Sequence, residues 1–248
     1  MINSKLINKI AGVLGYKLID KNHIKNIRVC GTNSVLNIKN LLNNLFEKNS
    51  INSIIQIGAN DGKSFDELSY FIKKYKTDSI LIEPIPEFFS ELKFNYSNFS
   101  NIKLINAAVT DEKEKQYIYS VKKKFRDSYG GHAKAISSFN LNHLLKHGIK
   151  KRHIEKLNIN SISVKNLIDT YKIKDIDLFY VDAEGHDGEI ILSLLNNSVE
   201  CKIIIFEFIH IQNKLLENVI EKLKYKKYNF FPINENLVCM KSKFEFKI

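Results

Sequence analysis

Apolar residues in this chain gather into short runs that are hydrophobic on both faces, separated by stretches with helical spacing. The runs 54–57, 79–82, 102–105, 176–181 and 202–208 predict strands. Strands this short and apolar throughout belong inside a parallel sheet covered by helices. Between them, apolar positions recurring every three to four residues predict helices over 35–48, 65–75, 87–96, 165–170, 187–195 and 212–224. Ser64 is placed to cap the helix at 65, and Pro86 suits the first turn of the one at 87. Segments 228–232 and 236–240, either side of Asn234-Glu235-Asn236, read as an antiparallel hairpin. The βαβ alternation implies right-handed crossovers, with a ligand beyond the strands' carboxyl ends.

Residues 111–163 break this rhythm. Gln116 to Val121 reads as a strand, Lys122 to Ser138 as a polar, flexible, basic stretch, and Leu141 to Lys146 and Lys151 to Leu157 as helices. An insertion at the ligand-binding edge is a usual place for substrate contacts or a lid. At the start, Leu6, Ile7, Ile10, Val13 and Leu14 give Met1 to Ile19 an amphipathic pattern. Lys5, Lys9 and Lys17 interrupt a secretory core there, while contact with a membrane surface stays open. The expected division is an N-terminal helical extension over 1–49 and one α/β domain over 50–248.

The chain has 248 residues and a formal charge of +11, enough for one substantial core and an attraction to anionic partners. Its lysines are scattered, with short clusters at 122–124, 150–152 and 222–227, and no aromatic-interleaved basic stripe marks a nucleic-acid platform. Cys30, Cys201 and Cys239 are odd in number and contain no CxxC pair, which argues against a disulfide framework or thiolate zinc site. Cys201 and Cys239 read as core residues, and a reducing cytoplasm is the default compartment, with the inner membrane face as a variant of it. No stretch is long and apolar enough to span a bilayer.

The chemistry concentrates where strands end. The first strand runs into Gly58-Ala59-Asn60-Asp61-Gly62, the second ends on Glu83, and the central one ends on Asp182-Ala183-Glu184-Gly185-His186-Asp187. Gly58 lets backbone approach a ligand, and the turn has neither the GxGxxG nor the GxxxxGK[ST] phosphate pattern. Glu83 is placed to accept ribose hydroxyls. Acidic groups at these ends suit a ligand with hydroxyls and a positive charge, such as S-adenosylmethionine; Glu83 alone also fits NAD. Asp182 and Glu184, with Glu207 and His210 after the next strand, are candidates for proton removal from an acceptor. His186 is left to the following helix or to solvent. Asp182, Glu184, Glu207 and His210 also offer donors for a divalent ion, but their spacing matches no recognised metal motif and no metal ligand is assigned.

Taken together and in order, the stretches 54–65 (IIQIGANDGKSF), 81–92 (LIEPIPEFFSEL), 106–112 (NAAVTDE), 137–140 (SSFN) and the segment around Asp182-Ala183-Glu184-Gly185 resemble the FkbM family of S-adenosylmethionine-dependent methyltransferases. The resemblance implies a class I methyltransferase (Rossmann-like) fold, seven-stranded and mostly parallel with a reversed C-terminal hairpin. It places cofactor contacts at Gly58, Asn60, Asp61, Gly62, Glu83, Pro84, Ala108, Ser138 and Asp182, with Pro84 and Ile85 on the adenine side. It makes Asp182, Glu184 and Gly185 the second signature. Gln56 and His186-Asp187 depart from the family pattern, which is often acidic at the first position and has a further Glu at the second.

The leading expectation is O-methylation of a sugar hydroxyl in a glycan, polysaccharide or nucleotide-sugar precursor, with a phosphorylated acceptor compatible with the basic charge. The alternatives are an RNA or DNA methyltransferase, against which stands the absence of an NPPY or DPPY motif or a catalytic Cys motif, and a non-enzymatic nucleic-acid-binding protein.

Overall fold

The computed structural model describes residues 38–48, 51–64, 66–111 and 116–244. The chain forms two compact units, 1–41 and 42–248, and the sheets and clefts all belong to the second. The segment Met1 to Ile19 and Cys30 lie outside the described residues. In order the elements are α1 (Ile38–Lys48), β1 (Ser53–Ile57), α2 (Ser69–Tyr75), β2 (Asp78–Ile82), α3 (Pro86–Asn95), β3 (Ile102–Ile105), β4 (Ala108–Val109), β5 (Tyr117–Val121), β6 (Ser137–Ser138), α4 (Leu141–Lys146), β7 (Ile154–Asn158), β8 (Ser161–Ile162), α5 (Val164–Tyr171), β9 (Asp175–Val181), α6 (Asp187–Asn196), β10 (Glu200–Glu207), α7 (Asn213–Tyr225), β11 (Tyr228–Ile233) and β12 (Asn236–Lys241).

The seven-stranded sheet runs β11-β12-β10-β9-β1-β2-β3. Its five central and edge strands from β10 to β3 pair in parallel, and β12 lies antiparallel to both β10 and β11. This is the mostly parallel class I methyltransferase sheet with a reversed hairpin. One face carries Ile55, Ile57, Phe179, Val181, Ile204 and Phe206 into a core with residues of α5, α6 and α7. The strand period of two sends Gln56 and Tyr180 to the other face. There Gln56 Nε2 donates to Asp66 (3.0 Å) and the Tyr180 hydroxyl to Glu67 (2.8 Å).

Register brings the loops together. Ile57 pairs with Ile82 on one side and Val181 on the other. The next residues of the three strands, Gly58, Glu83 and Asp182, therefore emerge side by side where the strand order reverses, the place where open α/β sheets bind ligands.

Several local expectations change. Ser64 does not cap a helix: α2 starts at Ser69, and Asp66 accepts from the Leu68 and Ser69 N–H groups instead (2.9 and 3.1 Å). The Ser64 N–H is itself bound by Asp61 (2.6 Å). Residues 151–157 are not a helix but a short 3₁₀ turn followed by β7, which pairs with β5 in a three-stranded sheet, β6-β5-β7. The partner decides: Val121 opposite Ile154 closes a small core with Ile136, Leu144 and Ile149. The stretch 122–138, expected to be flexible, contains two 3₁₀ turns and β6, and Arg126 in it donates to Glu87 at 2.7 Å.

Candidate active site

Two clefts open beyond the carboxyl ends of the strands. The first is lined by Gly58, Asn60, Glu83, Pro84, Phe88, Ala108, Ser137, Phe139, Asp182, Glu184 and His186, among others. The second is wider and more open, and is lined by Lys63, Asp66, Glu67, His147, Tyr180, Asp182, Glu184, Glu207, Ile209, His210, Glu235 and Asn236. Asp182 and Glu184 belong to both.

The turn after β1 is held tightly. The Gly58 and Ala59 N–H groups both donate to the Ile82 carbonyl (3.0 and 3.1 Å), and the Asp182 N–H donates to the Ile57 carbonyl (3.0 Å). Gly58 has φ +81°, and a β-carbon on it would lie 1.9 Å from the Asp182 carbonyl oxygen. No other residue type fits between these strand ends. Glu83 is 4% exposed. One of its carboxylate oxygens accepts from the Asn60 N–H (3.0 Å) and the other from the Ile85 N–H (2.8 Å). Each oxygen keeps a further acceptor direction for a ligand. Burial pushes Glu83 up to about 7, against the pull of those two amides.

The turn after β9 is organised by Asp187, which is fully buried and accepts from the Ala183 and Gly185 N–H groups (3.3 and 3.2 Å). Burial raises it to about 7. Glu184 takes a left-handed backbone, φ +48°. Its carbonyl accepts from the Ser138 hydroxyl (2.8 Å), and its carboxylate meets His143 Nε2 at 2.8 Å. Asp182 is open to solvent at the floor of the clefts but recessed among protein groups. That recess, and the Glu184, Asp187, Glu207 and Glu67 carboxylates around it, hold its carboxyl well above the usual range. Glu207 is pushed up to about 8 by burial and by Asp187, Glu184 and Glu235. Burial and the neighbouring His143 and His147 lower His210.

Of the residues singled out in the sequence, Gly58, Asn60, Glu83, Pro84, Ala108 and Asp182 line the first cleft, and Asp182, Glu184, Glu207 and His210 the second. Asp61, Gly62 and Ser138 stand behind the walls. Asp61 accepts from the Lys63 and Ser64 amides (2.8 and 2.6 Å), the Gly62 carbonyl accepts from Ser69 Oγ and Lys73 Nζ (2.6 and 3.0 Å), and Ser138 holds Glu184. Ile85, expected on the adenine side, is buried with Phe88 and Ile118. His186 lines the first cleft, with its ring edge-on to Phe139 (5.0 Å). Sequence reasoning missed Phe88, Phe139 and Tyr180. Tyr180 was recoverable, since it lies two residues before Asp182 on the same strand face. His143 and His147 carried a signal too, being four apart, one on an expected helix and the other just past its end.

A cofactor with a ribose diol and a positive centre fits this donor set: a buried carboxylate faces the first cleft with acceptor directions to spare, and further carboxylates stand at its end. A search among curated proteins gives no match. Among solved structures, similarity is found to the precorrin-6y C5,15-methyltransferase of Geobacter metallireducens GS-15, at 12% identity over 83% of this chain and 88% of that one, TM-score 0.41. The METTL16 methyltransferase domain is similar at 11% identity over 83% of this chain and 66% of that one, TM-score 0.44. A human methyltransferase 10 domain containing protein is similar at 11% identity over 91% and 84%, TM-score 0.41. The methyltransferase FkbM domain matches residues 56–230, which include both turns and the strands β2, β3, β9 and β10 entire. The chain thus belongs to the FkbM family of S-adenosylmethionine-dependent methyltransferases.

Proposed function

We propose that the protein methylates a hydroxyl of a sugar unit in a glycan, polysaccharide or nucleotide-sugar precursor. One observation carries the reading: an open cleft rich in carboxylates joins the cleft lined by Gly58 and Glu83 at Asp182 and Glu184. Asp66, Glu67, Asp182, Glu184, Glu207 and Glu235 line that open cleft, with Lys63 as its one Lys or Arg. Carboxylates accept hydrogen bonds from hydroxyls and repel phosphodiesters. The net charge of +11 therefore does not describe this cleft, and an RNA or DNA strand is disfavoured in it. A phosphate on the acceptor would have to sit outside it.

S-adenosylmethionine supplies an electrophilic methyl group on a sulfonium. Glu83 accepts the ribose hydroxyls, Gly58 and Asn60 present backbone at close range, and Pro84, Phe88 and Ala108 offer apolar walls to the adenine. Glu184 and Glu207 orient the acceptor by its hydroxyls. Asp182 takes the proton from the reacting hydroxyl. A positive charge nearby favours its ionised form, so the base becomes available when the cofactor is in place. Asp61, Gly62 and Ser138 act by holding the turns, and His210 stands on the acceptor wall.

The test is to supply S-adenosylmethionine with a panel of monosaccharides, nucleotide sugars, oligosaccharides and RNA, follow S-adenosylhomocysteine release, and identify products by NMR. A sugar methyl ether is the expected product. Methylated RNA with no methyl ether overturns the reading.

A further inference from the structure

His143, His147 and His210 are brought together by two separate pieces of chain. His143 and His147 stand one turn apart at α4 and its C-terminal cap. One ring nitrogen of each of the three lies within 4.8 Å of those of the other two. The rings meet at centroid distances of 4.7 Å (143–147), 4.6 Å (143–210) and 5.3 Å (147–210). From this geometry we propose a divalent transition-metal site of the zinc class, with these three imidazoles as ligands and an open position facing the acceptor cleft.

Both pieces are anchored before any ion arrives. The Asn140 side chain caps α4 by accepting from the Asn142 N–H (2.9 Å), and Leu144 is fully buried. The loop bearing His210 is fixed by the Phe208 N–H to the Glu235 carbonyl (3.0 Å) and by Ile211, 7% exposed, in the main core. An ion ~2.0–2.1 Å from each nitrogen needs them about 3.3 Å apart, which small ring rotations of the partly exposed His147 and His210 supply.

A second observation points the same way. Metal-bound histidines regularly give their other ring N–H to a carboxylate, which fixes the tautomer. His143 Nε2 lies 2.8 Å from the Glu184 carboxylate, and Ser138 pins the Glu184 backbone. A proton on Nε2 leaves the lone pair on Nδ1. Gly185, next to Glu184, lies between the two pieces of chain: a β-carbon on it would come within 3.7 Å of both His143 Nδ1 and the His210 β-carbon. Three neutral nitrogens suit Zn²⁺, or Co²⁺ and Ni²⁺ in its place, better than Mg²⁺ or Ca²⁺. His147 and His210 line the second cleft, so the open position can hold an acceptor oxygen. Only that use rests on the reading of the acceptor given above; the ion site stands without it.

The experiment uses the full chain without a histidine tag, stripped with chelator and titrated with Co²⁺, then with Zn²⁺ in competition, while S-adenosylhomocysteine affinity is measured by calorimetry on the same samples. The expected result is one equivalent of Co²⁺ with a visible absorption band, displaced by Zn²⁺. Affinity should fall by about 100-fold or more in both H147A and H210A, and by roughly 10–100-fold in E184Q. Thermal unfolding of each variant reports whether it is folded, and two independent ligand variants guard against failure of one. Absence of the band, or a band that survives both histidine substitutions, overturns the proposal. S-adenosylhomocysteine binding that persists in those samples shows that the methyltransferase reading has not failed with it.

Discussion

Replacing Glu83 by Gln tests the cofactor geometry on two readouts at once. Burial raises the carboxyl from 4.5 to about 7, a difference worth about 3 kcal/mol at ~1.36 kcal/mol per unit. The folded value lies above the unfolded one, so the stability this group contributes is complete below 4.5 and is lost as pH rises through about 7. In Glu83→Gln the ionisation disappears, but the amide NH₂ must face either the Asn60 or the Ile85 N–H, leaving one donor unmatched at a cost of ~1–3 kcal/mol. At pH 8 the variant without cofactor should therefore be more stable than wild type by no more than about 2 kcal/mol, with the slope across neutral pH removed. Binding should move the other way. Wild-type affinity for S-adenosylhomocysteine should weaken as pH falls below about 7, by up to ~10-fold per unit, because the ionised carboxylate is the form that accepts both ribose hydroxyls. Loss of one charge-assisted hydrogen bond, ~1.5–3 kcal/mol, makes Glu83→Gln about 10–100-fold weaker at pH 8 and flat with pH. Calorimetry at pH 6, 7 and 8 with denaturant unfolding at the same pH values decides the matter. Wild-type affinity independent of pH, or a Gln variant that binds as tightly as wild type at pH 8, refutes the placement of the ribose on Glu83.

Gly58→Ala puts a methyl group where the Asp182 carbonyl lies 1.9 Å away, at φ +81°; strain and overpacking together predict a loss of about 2–5 kcal/mol in denaturant unfolding, and wild-type stability would show that the strand ends do not meet as described. Asp182→Asn should lower turnover by ~10²–10⁴-fold while S-adenosylhomocysteine affinity stays within a few-fold; because neighbouring carboxylates oppose ionisation of Asp182, its stability at neutral pH should be unchanged or higher, and parallel losses in turnover and affinity would contradict its role as base. S-adenosylmethionine should release more protons on binding than S-adenosylhomocysteine, since only the sulfonium draws Asp182 toward its ionised form; equal release, measured by calorimetry in buffers of different ionisation enthalpy, would place the positive charge away from Asp182.

The central sheet was legible because its parallel strands are short, largely apolar runs, and β1, β2, β9 and β10 end on a glycine or an acid, a pattern that neighbouring helices and register then complete. Gly58, Glu83 and Asp182 could be paired from sequence for the same reason: each directly follows its strand. What was not legible depended on distant partners. Residues 154–158 became a strand through pairing with β5. Ser64 has no capping role because the helix starts at Ser69, where Asp66 accepts the Leu68 and Ser69 N–H groups. Gln56, which departs from the family pattern, turns toward Asp66 on the face away from the main core. The three-histidine cluster needed two chain segments to be folded together before any spacing could reveal it.

The contrast between a basic chain and acidic clefts follows from where carboxylates sit. Lysine side chains are long and keep their charge in water at the surface, whereas Glu83 and Glu207 occupy strand ends where protein displaces much of the water, and Asp182 sits at a strand end among other carboxylates. Burial is the leading cause of the raised pKa of each. Acids raised in this way are poorly compensated without a ligand and gain most from an incoming positive charge. A sulfonium brings that charge and the neutral thioether left after methyl transfer does not. If the cofactor lies as proposed, with its sulfonium beside Asp182, these carboxylates favour the methyl donor over its product.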